Sequence, residues 1–352
     1  MSRSTNKSIE ISRSRGLFIS IIALLCAACQ PRIATSFWKI GTPTDSVRSG
    51  YAVLYEGTKM RHCYPITEWT ADPAVDTYHQ LHHHGVAVES EWMAYRIYFD
   101  KKQTIDPYCK RNPQLELSQS HWYPNDSLLA LGNGDDILRV SGTVGVGSVK
   151  YWNGTKMVHI DPVAERSQRI VKQTRTEATI EVSAEEWQVE GMQVFMHTDY
   201  TMHAGHRDMR CDVYVWGDEY GDPVDGLCTG VQTIPAKGGS DTITIVLPNG
   251  VLLASWGTDW PVNDSAKYAK ETVGLGVFIP TKYAGECVHD KQNNLCLLKT
   301  EKRIRRHPQP AEKWNTAHFY LTVCGATKEN HPVATSAEEW FAYLRRWAKN
   351  LK

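Results

Sequence analysis

This chain has no excess of charge of either sign. Its 39 Lys and Arg are matched by 39 Asp and Glu, so no bulk field draws it to nucleic acid. No apolar run approaches the ~20 residues a membrane-spanning helix needs. Past residue 29 no CxxC pair with zinc-knuckle spacing occurs. No GxGxxG stands at a strand-to-helix junction, and there is no P-loop. Gly-X-Y repeats and sustained heptads are absent too, which excludes a collagen or a long coiled coil. What is present is 41% hydrophobic residues in 352, enough to bury a sizeable core and to exclude disorder as the main state.

The N-terminus reads as an address. Arg3, Lys7, Arg13 and Arg15 precede a short apolar run from Leu17 to Ala28, broken only by Ser20. A basic start followed by such a run fits a secretory signal peptide over residues 1–28. The run ends Leu25-Cys26-Ala27-Ala28-Cys29. Small residues ahead of a cysteine resemble a bacterial lipobox, with Cys29 as the lipidation site and membrane anchor. The alternative is ordinary cleavage to a soluble exported protein. Either way the expected location is the periplasm or, with the lipid, the outer membrane. Residues 29–50, rich in Ser, Thr, Pro and Arg, read as a tether. Cleavage removes four basic residues and one acidic residue, leaving a slightly acidic chain and no nucleic-acid partner. Seven cysteines follow Cys29. The number is odd, so at least one stays a thiol if the others pair. Cys287 and Cys296 bracket a polar loop and are the pair best placed for a bridge.

Past residue 50 the dominant pattern is alternation of apolar and polar residues. Strands are predicted at Trp92–Phe99, Ala178–Trp187, Met192–Met202, Met209–Trp216, Thr242–Leu247, Val251–Trp256, Val273–Ile279, Leu295–Leu298 and Ala317–Val323. Turn residues such as Asn153-Gly154 and Asn249-Gly250 separate them, as in a sandwich. A capping box at Ser336–Glu339 opens one helix, 336–351, whose Trp340, Phe341, Leu344, Trp347 and Leu351 recur at helical spacing. The reading is all-β: one large antiparallel β-sandwich over 51–352 with a C-terminal helix.

Several motifs stand out together. They are His82-His83-His84-Gly85, Glu89-Ser90-Glu91 running into Ala94-Tyr95-Arg96-Ile97-Tyr98-Phe99, Gly134-Asp135-Asp136-Ile137, Gly145-Val146-Gly147, Gly205-His206-Arg207-Asp208, and Trp256-Gly257-Thr258-Asp259-Trp260-Pro261. With them the chain resembles the domain-of-unknown-function 4861 family of exported bacterial proteins over most of residues 50–350. That resemblance implies a galactose-mutarotase-like supersandwich, a fold also used by polysaccharide lyases. It also implies a setting among glycan-degrading enzymes.

The residue types suggest candidates. His82, His83 and His84, with Glu91 close behind, offer imidazoles beside a carboxylate, as proton transfer near neutral pH requires. Consecutive side chains on an extended segment face opposite ways, so not all three histidines can converge. Tyr95 is a candidate acid and His206 a second acid or base. Arg96 and Arg207 are candidate clamps for a sugar carboxylate, since guanidinium binds carboxylate in a bidentate way; internal ion pairs are the competing reading. Trp256, Asp259 and Trp260 are candidate sugar contacts, because an aromatic face buries the C–H patch of a sugar ring. Asp135 and Asp136 could supply a base or bind calcium through their oxygens, but no EF-hand pattern surrounds them, and a turn with an exposed acidic tip is the preferred reading. Histidine and carboxylate suit several divalent metals, yet the spacing matches no specific metal site, so no metal or other cofactor is expected. The function expected is action on a uronic-acid-containing glycan, by β-elimination first. The alternatives are a hydrolase or epimerase on the same fold, or a glycan-binding lipoprotein without catalysis.

Overall fold

A computed structural model describes residues 32–41, 52–56, 59–217, 222–235, 241–305 and 312–352. Residues 1–28 and Cys29, read as signal peptide and lipid site, lie outside the described residues.

The chain is an antiparallel β-sandwich with a C-terminal helix. Every ladder between its strands is antiparallel among the described residues. The largest sheet has ten strands. Its middle runs Glu271–Pro280, Glu312–Gly325, Met209–Trp216, Met192–His203 and Glu177–Val189 in spatial order. Two five-stranded sheets share a core with it. One contains Ile33–Ser36, Ala87–Ser90, Met93–Ile97, Ile105–Cys109 and Asp135–Asp136, and the other contains Leu227–Gln232 and Asn293–Leu298. Val88, Ile97, Leu227 and Cys296 from the smaller sheets meet Ile180, Val213 and Leu321 from the large one.

The expected alternation is clearest in Met209–Trp216, where Met209, Cys211, Val213 and Val215 are buried and their neighbours half-buried. A side-chain period of two turns one face of a strand to the core and the other to water. Gly250–Asp259 departs from this, being buried on both faces over most of its length. Leu253 faces the main core, whereas Leu252, Ala254 and Trp256 lie under the helix Ala337–Ala348. That placement makes Trp256 a core residue instead of a sugar contact.

The helix forms where its capping signal stands. Ser336 is the N-cap, and its hydroxyl accepts from Glu339 N–H at 3.2 Å. The Glu339 carboxylate accepts from Thr335 N–H and Thr335 Oγ1, each at 2.8 Å, one residue upstream of the usual box partner. Docking depends on missing side chains in the sheet. A Cβ on Gly274 would lie 2.7 Å from the Trp340 ring, and one on Gly276 2.5 Å from Leu344. The Trp340 indole N–H donates to Leu275 O at 3.2 Å, satisfying its one polar atom. Burying a side chain such as Leu344 contributes about 1.5–3 kcal/mol.

Part of the expected tether belongs to the sandwich. Ile33–Ser36 pairs with Ala87–Ser90, and Trp38–Ile40 pairs with Lys59–Pro65. Ile33 and Phe37 are buried in the main core. Two apolar anchors outweigh the polar composition around them.

Candidate functional site

The three histidines form a single 3₁₀ turn, His82–His84, and all three are buried. His82 Nε2–H donates to Ser120 O, which leaves Nδ1 to accept from the Ser36 hydroxyl at 2.9 Å. His83 Nε2–H donates to Leu117 O at 2.8 Å, and His84 Nδ1–H to Tyr78 O at 2.9 Å. Burial pushes His82 and His84 down to about 3, and His83 well below the ordinary histidine range. These imidazoles are neutral and spend their protons on backbone carbonyls, so they are not the accessible bases expected from the sequence.

Arg96 lies beneath the same region. The register of Met93–Ile97 on Ile105–Cys109 sets Arg96 opposite Asp106. Its guanidinium donates to Asp106 at 2.6 Å and also to Asp136. The Tyr98 hydroxyl donates to Asp106 as well. Glu89 is occupied in a similar way by Lys110 and by the N–H groups of Glu116 and Leu117. This is a paired polar core, and Arg96 has no free fork to offer a substrate.

A second group of expected site residues gathers elsewhere, around Gly205–Asp208. Glu91 accepts from Arg32 Nε at 2.7 Å and from Gly205 N–H at 3.0 Å. The Tyr95 hydroxyl donates to Arg207 O at 2.6 Å, and its ring is fully buried. Arg207 is held by Glu329 and by Val323 O. Glu91, Tyr95 and Arg207 therefore brace the turn instead of meeting a substrate. Only His206 is exposed, beside Asp208 at 3.2 Å, on a concavity of about 420 Å³ with Trp92 and Tyr343. Asp259 pairs with Arg139 at 3.1 Å. Trp260 is half-buried under Lys270, whose ammonium lies 5.5 Å from the ring centroid.

A concavity of about 860 Å³ lies among residues that no pattern in the chain singled out, Asp135 apart. One wall begins at Tyr123 and continues into the short helix Asp126–Ala130, whose N-cap Asn125 accepts from Leu128 N–H at 3.0 Å. The facing wall is Lys267 to Glu271, with Lys328 beside it. The Tyr123 and Tyr268 rings stand 6.5 Å apart, inclined at 60°. Glu271 pairs with Lys328 at 2.8 Å and accepts from the Thr327 hydroxyl. Lys267 sits 5.3 Å over the Tyr268 ring.

Asp135 completes the lining. It occupies a two-residue strand on Ile105–Cys109, with Cys109 opposite Asp135 and Tyr108 opposite Asp136. Because neighbours on a strand face opposite ways, Asp136 turns in to Arg96 while Asp135 reaches the cleft. Gly134 permits this approach, since a Cβ there would lie 1.7 Å from Cys109 O. Asp135 is 4% exposed. Burial, reinforced by the Glu271 charge and opposed by Lys328 and Arg96, pushes its carboxyl up to about 6. Asp135 and Asp136 are thus not an exposed tip. The signal that pointed to them was Gly134-Asp135-Asp136 within one of the motifs above. Pattern alone does not reveal which of two adjacent acids meets a cleft.

The cleft offers two aromatic faces, one buried carboxyl pushed up to about 6, one carboxylate in an ion pair, the exposed Asp126 on the helix wall, and two ammonium groups. Among the described residues no group of three or more His, Cys, Asp or Glu is arranged to hold a metal ion, and no helix is long and apolar enough to cross a membrane. A family described as a domain of unknown function (DUF4861) matches residues 47–352. No curated protein matches the chain.

Proposed function

The chain belongs to the DUF4861 family, and we propose that it is an exported carbohydrate-active protein that cleaves a uronic-acid-containing saccharide in the cleft between Tyr123 and Tyr268. The observation that carries this reading is Asp135: a buried carboxyl pushed up to about 6, on the wall of a concavity of about 860 Å³ that Tyr123 and Tyr268 also line. Ligand sites combine apolar lining with a few placed polar groups and perturbed acids. The tyrosine faces would take the sugar rings. Lys267 would meet the sugar carboxylate as a point charge.

Of the reactions open to such a cleft, acid–base hydrolysis is favoured over β-elimination. Asp135 holds its proton up to about pH 6 and can give it to a glycosidic oxygen, while Glu271 is held in an ion pair by Lys328. A carboxyl that can donate a proton and a second carboxylate in the same cleft are the residue types hydrolysis uses. Elimination needs a base for the C5 proton. Burial pushes Tyr123 up and Tyr268 up to about 12, so neither is a ready base at neutral pH, and His82, His83 and His84 are buried.

The test incubates the protein with uronic-acid-containing and neutral oligosaccharides and follows products by chromatography and by absorbance of an unsaturated uronate. Saturated fragments are expected, with turnover falling as pH rises through about 6. Asp135→Asn should lower turnover by about 10²–10⁴-fold. Unchanged turnover in Asp135→Asn would remove the assignment. An unsaturated product would make the reaction elimination, and binding without any product would make the protein a glycan-capture lipoprotein. The address at residues 1–29 is tested separately: Cys29→Ala should move the protein from the membrane to the soluble fraction, and unchanged membrane retention would refute a lipid anchor at that site.

A further inference from the structure

We infer that Cys287 and Cys296 are a site of thiol–disulfide exchange, closing a reversible cross-strand bridge in the hairpin Ala284–Leu298. The two residues stand directly opposite each other on Ala284–His289 and Asn293–Leu298. Their kind of position follows from the turn. Asp290 N–H donates to Asn293 O at 3.1 Å, so that pair is hydrogen-bonded. Alternation along an antiparallel ladder then makes His289 and Asn294 non-bonded, Val288 and Leu295 bonded, and Cys287 and Cys296 non-bonded. Non-bonded pairs bring their Cα atoms to about 4.5 Å and their side chains closest together, which lies within the span a disulfide bridges. The Cys296 thiol lies within hydrogen-bonding reach of Gly285 O at 3.6 Å and Leu297 O at 3.4 Å.

The two cysteines differ in a way that assigns their roles. Among the described cysteines Cys287 alone is exposed, whereas Cys296 is fully buried. Ala284–His289 is the edge strand of its sheet, so a disulfide in solution can reach Cys287 from the open side. The interaction with Cys296 pushes Cys287 down to about 7, and the same interaction, with burial, pushes Cys296 up. A thiol that ionises near ambient pH is the better attacking group.

The exchange balances without a further reactant. The Cys287 thiolate attacks one sulfur of an external disulfide, such as oxidised glutathione, forming a mixed disulfide and expelling one thiolate. Cys296 loses its proton and attacks the Cys287 sulfur, expelling the second. Two protein thiols are oxidised, one external disulfide is reduced to two thiols, and the two protons pass to those products.

The test exposes the whole folded protein to oxidised glutathione, then alkylates it and maps peptides by mass spectrometry. Loss of two alkylatable thiols and a Cys287–Cys296 linked peptide, reversed by a dithiol, is expected. In Cys296→Ser the reaction should stop at one glutathione adduct on Cys287. In Cys287→Ser, an exposed change that leaves the core intact, no thiol should react. Wild-type protein that keeps both thiols alkylatable, retains a stable glutathione adduct, or links either cysteine to a different one would overturn the inference.

Discussion

Asp135 and Asp136 are consecutive residues with opposite partners: the Asp136 carboxylate receives the buried Arg96 guanidinium, and the Asp135 carboxyl lines the cleft. The same charge is neutralised on one face of the strand and left under a desolvation cost on the other. That cost can be measured. The folded chain holds the Asp135 proton up to about 6, against an ordinary 3.8. Unfolding therefore gains from ionisation as pH rises, and the Asp135 contribution to stability falls between about pH 4 and 6 and stays lower above. Asp135→Asn removes the cost. The variant should be more stable than wild type at pH 8 by roughly 1–3 kcal/mol, with little difference near pH 3.5. Urea midpoints at the two pH values measure this, and a variant no more stable at pH 8 would contradict the burial argument.

Gly134 holds Asp135 in place by having no side chain. A methyl group there would meet Cys109 O and the Lys110 backbone, neither of which can swing away. Gly134→Ala should cost roughly 2–4 kcal/mol through this overpacking, and any folded fraction should lose turnover with it. Chemical denaturation measures the first effect; a change below about 0.5 kcal/mol would mean the strand sits elsewhere.

The buried histidines bear on acid stability. Each has a lower proton affinity in the folded chain than the ordinary 6.5, with His82 and His84 down to about 3. The unfolded chain binds the extra protons as pH drops below about 6.5, so the histidine contribution to stability should be flat above that value and decline from there toward pH 3. His84→Gln, which keeps a donor for Tyr78 O, should reduce that slope while leaving turnover per folded molecule unchanged at neutral pH. Lost turnover with an unaltered slope would restore a catalytic role to this turn.

Arg207 and Glu329 make a forked pair, Nη1 to Oε1 at 3.0 Å and Nη2 to Oε2 at 3.1 Å, with both side chains buried. Removing one partner strands the other charge. Glu329→Ala should destabilise the fold by about 3–5 kcal/mol, without a change in the affinity of folded protein for saccharide. Calorimetry of unfolding and of binding separates the two. Weakened binding at full stability would make Arg207 a substrate clamp after all.

Much of the architecture was legible in the chain. Met209–Trp216 was predicted with the bounds it has, and Met192–Met202 and Thr242–Leu247 fell one residue short. Period-two burial is a local signal, as is the capping box at Ser336. The site was read poorly because its chemistry depends on partners far apart in sequence. Arg96 is tied up by Asp136, forty residues on, and Arg207 by Glu329, which is more than a hundred away. No spacing rule reports such pairings. Trp256 looked like a platform because its strand reads as any half-buried strand would, and the helix that covers it lies about eighty residues downstream.

The sequence by itself determined the antiparallel strands, the terminal helix and the family motifs, since alternation, turn residues and caps act between near neighbours. Only the tertiary structure decided which acid, imidazole and guanidinium groups are spent on one another and which face open space. Burial and pairing set that choice, and both arise from contacts between segments that the chain order keeps apart.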